Sequence, residues 1–295
     1  MSATPVTRIA WQPLTPRGVA AFAEASFDRF QLVKLVAAAF GGFSVAAFLW
    51  LTCSPVIVET IEALPDTVRL EHGQLKGLEG SVLRENRFLS LMLDPDTLEQ
   101  AGQTSDTQLR FGRRSWSFCA LRTEVGQYVL GCADFPYETD WNIPLGRPAL
   151  EPWWGAWHGM VFAAIGLAVF LALLVSWVLL GLVYSVPVRL LAFVVGKRIT
   201  WGGSWRLAGA AMIPGSLLMS LGFWAYGLFL IDLVRFLLIF VLHIVVGWAY
   251  LIAAPLTLDP VGPKPGLSLG GVPTVGPPAA PPKNPNDSKN PFAPE

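Results

Sequence analysis

Three ionisable residues lie within one of the most apolar stretches of the chain, FLIDLVRFLLIFVLHIVVGWAY at residues 229–250. They are Asp232, Arg235 and His243. Charge is costly in hydrocarbon, and ionisable residues inside a membrane commonly mark proton or solute pathways. A histidine exchanges protons near neutral pH, and an aspartate near an arginine can form an ion pair. These three residues are therefore the first candidates for an intramembrane polar site.

Four stretches without Asp, Glu, Lys or Arg are long enough to cross a bilayer as helices, namely residues 35–58, 159–188, 207–231 and 236–258. One crossing of a hydrocarbon core of about 30 Å takes roughly 20 mostly apolar helical residues. The chain is 53% hydrophobic and only 14% charged, whereas soluble domains carry about 25% charged residues. The sequence therefore predicts an α-helical integral membrane protein with four transmembrane helices.

The distribution of Lys and Arg predicts how these helices are oriented. Basic residues precede the first span and lie between the second and third, at Arg8, Arg17, Arg29, Lys34, Arg189, Lys197, Arg198 and Arg206. Residues 55–157 instead hold nine basic and fifteen acidic residues, a net charge of −6. We expect a multi-pass protein of the bacterial cytoplasmic (inner) membrane, with the N-terminus and the C-terminus in the cytoplasm.

These patterns divide the chain into five segments. They are a cytoplasmic N-terminus with an amphipathic entry helix (1–34), the first transmembrane helix (35–54), a small β-rich extracytoplasmic domain (55–157), a membrane region of three spans with a cytoplasmic interfacial loop (158–258) and a disordered, Pro/Gly-rich cytoplasmic tail (259–295). The β-rich domain is thus inserted between the first and second spans. Pro187 is expected to interrupt the second helix, and residues 199–205 to form a glycine turn.

The orientation locates the three ionisable residues. Asp232 and Arg235 have an i, i+3 spacing, which suits an ion pair at the corner between the last two spans, near the outer interface. His243 is eight residues further on, or about 12 Å deeper at 1.5 Å per residue. Its polar partner is expected among Ser176, Ser216 and Ser220. It is either a neutral histidine bonded within the bundle or a group that handles protons or solutes.

The residues around Thr123 to Gly126 separate two β-rich runs and predict a hairpin. Cys119 and Cys132 then lie roughly opposite each other on its two arms. In an oxidising periplasm they can form a disulfide. Two reduced, buried cysteines are the alternative, and a register shift of one residue would favour it.

Several functional classes are disfavoured by the sequence. The histidines, His72, His158 and His243, stand apart, and the chain has no HExxH, GxSxG or Walker motif. We therefore expect no enzyme and assign no catalytic, cofactor-binding or metal-binding residue; Asp94 and Asp96 are better explained as turn residues around Pro95. The net charge is zero and no basic patch is present, so nucleic acid is not an expected partner.

Short motifs resemble a family of bacterial multi-pass membrane proteins of unknown function. They are LTPRGVAAFAEASFDRF, the segment IEALPDTVRLEHGQLKG after the first span, and LMLDPDTL. This family is loosely grouped with Yip-type proteins, and some members are labelled maltodextrin-utilisation proteins. The resemblance implies a similar topology over about half the chain and supplies no catalytic residues.

Two functional hypotheses follow. The first is a non-enzymatic scaffold or accessory protein, anchored in the lipid bilayer, that engages membrane or periplasmic protein partners through its extracytoplasmic domain. The second is a transport-associated or permease-like component with a polar intramembrane site at His243 and the Asp232/Arg235 corner. Four spans without internal repeats disfavour an independent secondary transporter.

Overall fold

Four helices in the described part of the chain are long and apolar enough to cross a membrane. The computed structural model describes residues 12–94, 105–124 and 127–259. The four candidate spans are Phe27–Ala63, Arg147–Val194, Trp201–Gly227 and Leu233–Leu256. Separate β-sheets lie between the first and second spans. The predicted combination of four long apolar helices with a β-domain inserted after the first is confirmed.

The helices, in chain order, are α1 (Pro16–Ala21), α2 (Phe27–Ala63), α3 (Arg147–Val194), α4 (Trp201–Ala211), α5 (Ile213–Gly227) and α6 (Leu233–Leu256). The 37 residues of α2 and the 48 residues of α3 correspond to about 55 Å and about 72 Å of helix. Both helices therefore extend well beyond a hydrocarbon core of about 30 Å. The β-structure occupies a shorter segment than the expected 55–157, because the ends of α2 and α3 take up both flanks.

The expected single entry helix is two elements. Thr15 accepts a hydrogen bond from the Gly18 amide at 3.0 Å and caps α1, and Ser26 caps α2 after a short turn. Arg206 of α4 donates to the Phe22 and Ala23 carbonyls at 3.3 and 2.8 Å, which satisfies the end of α1. The apolar side chains of this segment do not form a free face for lipid, because most pack inside the protein: Val19, Phe22, Ala23 and Phe30.

Helix α3 continues past Pro187 to Val194, so the expected interruption at Pro187 is wrong. Transmembrane helices tolerate a proline where surrounding groups satisfy the freed backbone. Here the residues just beyond the proline, Val188 and Ala192, are buried in a core shared with α1 and α4. Packing therefore outweighs the local preference of Pro187 for a helix end.

The expected glycine turn at residues 199–205 is the start of α4. The Thr200 hydroxyl accepts from the Gly203 amide at 3.0 Å and caps the helix. A Cβ atom at Gly203 would lie 3.0 Å from the Ala23 carbonyl oxygen, so this glycine serves close packing. The third span then breaks at Met212 between α4 and α5, and Pro214 stands in the first turn of α5, where a missing N–H is tolerated.

The β-domain consists of two sheets. Its strands are β1 (Arg69–Glu71), β2 (Gln74–Lys76), β3 (Val82–Glu85), β4 (Leu89–Leu93), β5 (Thr107–Phe111), β6 (Ser115–Glu124), β7 (Gln127–Pro136) and β8 (Asn142–Pro144). The small sheet has the order β2-β1-β8 and the larger one β3-β4-β5-β6-β7, with β4 and β5 parallel. The turn between β1 and β2 has positive φ at both His72 (48°) and Gly73 (69°), as a two-residue type I′ hairpin requires.

A buried tyrosine belongs to the core of this domain. Tyr137 is 9% exposed and packs with a cluster that includes Val68, Leu70 and Leu75. Its hydroxyl donates to the Gly112 carbonyl at 3.2 Å. Burial raises the pKa of the Tyr137 phenol to about 12, because the charged form would be poorly solvated there.

The turn between β3 and β4 fastens the β-domain to the membrane helices. Asn86 donates from Nδ2 to the Thr52 carbonyl of α2 at 2.6 Å, and Arg87 donates to the Ile231 carbonyl between α5 and α6 at 3.2 Å. Asn86 Oδ1 also accepts from the Phe88 and Leu89 amides, at 2.9 Å each. The turn therefore has a fixed shape and bridges two spans that are distant in sequence.

A second set of contacts reinforces this connection. The Tyr226 hydroxyl of α5 donates to the Asp106 carboxylate just before β5. The Phe88 ring packs edge-to-face on Tyr226 with centroids 4.9 Å apart, and against Phe229 at 5.2 Å. Phe229 has φ of 60°, an uncommon conformation for a bulky residue. We call Asn86, Arg87, Phe88 and Asp106 the clasp.

The clasp and the N-terminal helix lie at opposite ends of the helix bundle. The Tyr250 hydroxyl near the end of α6 donates to the Leu14 carbonyl at 2.5 Å, and Thr257 contacts the Pro16 carbonyl at 3.5 Å. The start of α2 and the C-terminal end of α6 therefore lie at the same end of the helix bundle. The β-domain and the corner between α5 and α6 share the other end, which is the relative arrangement that four crossings require.

Candidate intramembrane site

Asp232 and Arg235 together begin α6. Asp232 is its N-cap, and its Oδ1 accepts from the Arg235 amide at 2.8 Å. The Arg235 Nε lies 3.8 Å from Asp232 Oδ2, with both side chains more than half exposed. An exposed pair of this kind contributes little energy, whereas the cap satisfies a free N–H group of the helix. The pair is at the corner between α5 and α6, away from the middle of α6.

His243 lies near the middle of α6 and is half-buried. Its Nδ1 bonds the Phe240 carbonyl one turn earlier in the same helix. A carbonyl oxygen only accepts, so Nδ1 carries the proton. In the neutral ring Nε2 is then a hydrogen-bond acceptor, and no described residue donates to it.

The three serines proposed as partners line the same cavity as His243. This cavity has a volume of about 390 Å³ and is bordered by α2, α3, α5 and α6. Ser176, Ser216 and Ser220 all face it, yet each donates its hydroxyl to a carbonyl of its own helix, at 2.9, 2.8 and 2.9 Å. The described contacts include no hydrogen bond from these serines to His243. The imidazole and the serines therefore share a space without being bonded to one another.

Small residues set the shape of the cavity. A Cβ atom at Gly41 of α2 would lie 2.7 Å from Leu173 of α3, and one at Gly215 of α5 would collide with the backbone carbonyl of His243. Glycines at such positions let helix backbones approach closely. Gly215 therefore brings α5 against α6 at the level of His243. The remaining wall is largely apolar, with Trp177, Met219 and Phe223 among its residues.

Tyr184 of α3 and Trp248 of α6 also line the cavity, and neither was among the residues expected there from the sequence. The Trp248 Nε1 donates to the Tyr184 hydroxyl at 3.1 Å and so joins the two helices across the cavity. The signal available in the sequence was the presence, within a span, of an aromatic residue that carries a polar group. The pairing of Tyr184 with Trp248 depends on helix packing and could not be identified from sequence spacing.

The cavity reaches the outer surface of the bundle between α3 and α6. Three of its lining residues are substantially exposed: Leu180 at 37%, Ile244 at 42% and Trp248 at 53%. Because these residues lie on apolar helices that are candidate membrane spans, the opening faces the region that lipid would occupy.

The other sequence candidates lie elsewhere. His72 is in the turn between β1 and β2, and His158 of α3 has Nδ1 2.9 Å from the Trp154 carbonyl, so the histidines do not converge. No group of three or more His, Cys, Asp or Glu in the described chain could hold a metal ion. Asp94 follows β4 and is the last described residue before a gap, while Pro95, Asp96 and residues 260–295 lie outside the described residues.

Cys119 and Cys132 face each other in the β6–β7 ladder and are joined by a disulfide with an S–S distance of 2.13 Å. The last pair of the ladder is Glu124 with Gln127, so the hairpin lies where the sequence indicated. The third cysteine, Cys53 of α2, is free. The bridge therefore joins the two strands near the middle of this hairpin in the β-domain and is separate from the intramembrane cavity.

These features define a multi-pass membrane protein with a β-domain clasped to its helices and a polar-lined cavity inside the bundle. No protein-family model, characterised protein or solved structure matches this chain.

Proposed function

We propose that this protein is a non-enzymatic, transport-associated membrane component that binds a small ligand in the cavity beside His243. The observation that carries the proposal is a 390 Å³ cavity bordered by four helices and lined by a few polar groups. Small-molecule sites are typically about 300–1,000 Å³, mostly apolar and supplied with few polar groups. The cavity has these properties.

An incidental packing defect is a weaker explanation. Protein interiors are close-packed, and voids larger than a water molecule are few. Here the space is bordered by His243, whose ring Nε2 receives no hydrogen bond from a described residue. An acceptor without a partner can take a hydrogen bond from a bound molecule. A ligand in the cavity would supply that bond.

The sharpest test fills the cavity with a larger side chain. Ser220 is 4% exposed and lines the cavity, whereas its neighbour Leu221 is 58% exposed on the outer face of α5. We expect native mass spectrometry of the full chain, extracted with its own membrane lipids, to detect a bound small molecule in the wild type and in Leu221→Phe. Ser220→Phe should lose it. An equal bound mass in all three proteins, or none in the wild type, would contradict the proposal.

A second function, engagement of protein partners by the β-domain, is favoured by the far edge of the larger sheet. In the described chain β7 pairs only with β6, so its other edge is available to an added strand. Next to that edge, Trp116 and Phe135 stack with centroids 4.4 Å apart, and Phe118 is 42% exposed. This aromatic surface is suited to a protein contact.

Photocrosslinking distinguishes this second function. A photoreactive amino acid in place of Phe118 should capture a partner in intact cells, whereas one in place of the exposed Arg84 on β3 should not. Equal products at both positions, or none at Phe118, would argue against a scaffold or accessory role. The bacterial inner-membrane location, the cytoplasmic termini and the resemblance to Yip-type proteins remain part of the proposal, supported by loop charge and by short motifs.

A further inference from the structure

The hydrogen-bonding groups of the cavity are mostly acceptors. The hydroxyl protons of Ser176, Ser216 and Ser220 are committed to backbone carbonyls of their own helices. Their oxygens retain lone pairs that can accept. His243 Nε2 is an acceptor as well, because Nδ1 holds the proton of the neutral ring. A ligand bound here must therefore bring a donor of its own.

One donor is available on the opposite wall. The Tyr184 hydroxyl accepts from Trp248 Nε1 at 3.1 Å, and its own proton has no acceptor among the described residues. A ligand group that both donates and accepts suits this arrangement. A hydroxyl does both, whereas an ammonium group only donates and a carboxylate only accepts.

Charge further restricts the ligand. None of the described residues that line the cavity is Asp, Glu, Lys or Arg. A charged ligand would lose its hydration without gaining a counterion, which is costly in a low-dielectric interior. A neutral ligand avoids that cost. The exposed Leu180, Ile244 and Trp248 at the opening give an apolar molecule a lateral route from the bilayer.

We infer that the cavity binds an uncharged, hydroxyl-bearing amphiphile with a hydrocarbon body, whose hydroxyl donates to Nε2 of His243. This inference rests on the proposed function, since it names the ligand class of the same site. The hydrocarbon body lies along Leu173, Met219 and Phe223, where van der Waals contacts with these side chains replace contacts with lipid tails. His243 is thereby assigned a recognition role that requires no change in its protonation.

Three photoreactive probes of equal chain length test the inference: an alkane, the corresponding primary alcohol and the corresponding carboxylic acid. The full chain is reconstituted in lipid nanodiscs at a pH where histidine is neutral. We expect the alcohol to label cavity residues saturably. The alkane should need a roughly two- to tenfold higher concentration, as for the loss of one hydrogen bond, and the carboxylate should bind more weakly still.

Variants at His243 identify the acceptor. His243→Leu should reduce alcohol binding to the level of the alkane without affecting the alkane, while His243→Gln, which keeps an acceptor, should restore part of the difference. Val241→Leu is the matched control, since Val241 is 56% exposed on the same helix. If His243→Leu does not fold, the comparison of the three probes on the wild type still decides the ligand class.

The outcomes separate this inference from the proposed function. Equal saturable labelling by the alkane and the alcohol would overturn hydroxyl recognition and leave ligand binding in the cavity intact. Tightest binding by the carboxylate would overturn the inference in the same way. Failure of all three probes to label the cavity, combined with no bound molecule in native mass spectrometry, would defeat both.

Discussion

Asp232 and His243 belong to one helix but act through different atoms. Asp232 uses a carboxylate oxygen to cap the first turn of α6, at an exposed corner. His243 bonds a carbonyl of its own helix and is one of the residues that line the shared cavity. Only the second residue borders that cavity.

The Asp232 cap can be tested separately from its charge. Asp232→Ala should lower the free energy of unfolding by about 1 kcal/mol, because the Arg235 amide loses its partner. Asp232→Asn should retain most of the stability, since an amide oxygen also caps. Arg235→Gln should have an effect within about 0.5 kcal/mol, as expected for an exposed ion pair. Unfolding in mixed micelles of increasing denaturing detergent measures all three, and an Asn variant as unstable as the Ala variant would contradict capping.

Tyr137 makes the β-domain sensitive to alkaline pH. Its pKa is raised from 10 to about 12 by burial, so the folded state holds the phenol proton more tightly than the unfolded chain does. Its stabilising contribution is complete below pH 10 and is lost as the pH rises towards 12, by up to about 3 kcal/mol.

The pH dependence is measured by chemical denaturation followed by near-ultraviolet circular dichroism. The wild type is compared with Tyr137→Phe at each pH. The advantage of the wild type, which includes the hydrogen bond to the Gly112 carbonyl, should shrink between pH 10 and pH 12. A constant difference over that interval would mean that Tyr137 is not the titrating group.

Spacing along one helix could predict some of these sites but not all. The contact of Asp232 with Arg235 is local, so an i, i+3 pattern was sufficient. The partners of His243 depend on how four helices rotate and pack, which periodicity does not determine. The sequence therefore suggested serines that do reach the cavity, but not the bond to the Phe240 carbonyl or the pairing of Tyr184 with Trp248.

At the scale of elements, the β6–β7 hairpin is held by a disulfide that closes a short loop. Cys119 and Cys132 are separated by 13 residues; bridging a loop of this size stabilises a fold by about 3 kcal/mol on the chain-entropy account. We expect one reactive thiol, Cys53, in denatured protein prepared without reductant, and three after reduction. Cys53→Ser should leave none before reduction. Three thiols without reduction would contradict the bridge.

Other elements show where local patterns were insufficient. The hairpins were accessible to sequence analysis because turn residues and β-rich runs act over a few positions, as at His72 and Gly73. Pro187 and the start of α4 were misjudged because proline and glycine favour helix ends locally, whereas burial of Val188 and close contact at Gly203 favour helix. Tertiary packing outweighed propensity in both places.

At the scale of the whole molecule, the two ends of the bundle differ in composition. One end carries α1, the end of α6 and the basic residues between α3 and α4; the other carries the β-domain and the clasp. An even number of spans was sufficient to predict that the start of α2 and the end of α6 lie at the same end of the bundle. Which end faces the cytoplasm depends on the excess of Lys and Arg in short loops.

Substituted cysteines test that orientation. In a chain with Cys53→Ser, Asp140→Cys of the β-domain should react with a membrane-impermeant maleimide in intact cells. Arg198→Cys, between α3 and α4, should react only after the cells are permeabilised. Both positions are exposed, so accessibility to solvent is matched. The reverse pattern would overturn the assignment of cytoplasmic termini.

The clasp also sets an order of events during synthesis. Arg87 and its acceptor, the Ile231 carbonyl, are 144 residues apart. At a synthesis rate of about 5–20 residues per second, Ile231 is made roughly 7 to 29 s after Arg87. Asp106 likewise receives no hydrogen bond from Tyr226 until α5 has been synthesised. The β-domain therefore exists for seconds with its charged and aromatic attachment points unoccupied. Its final attachment reports that the last two helices have been inserted, so nascent chains that stall before α6 should be the ones exposed to proteolytic quality control.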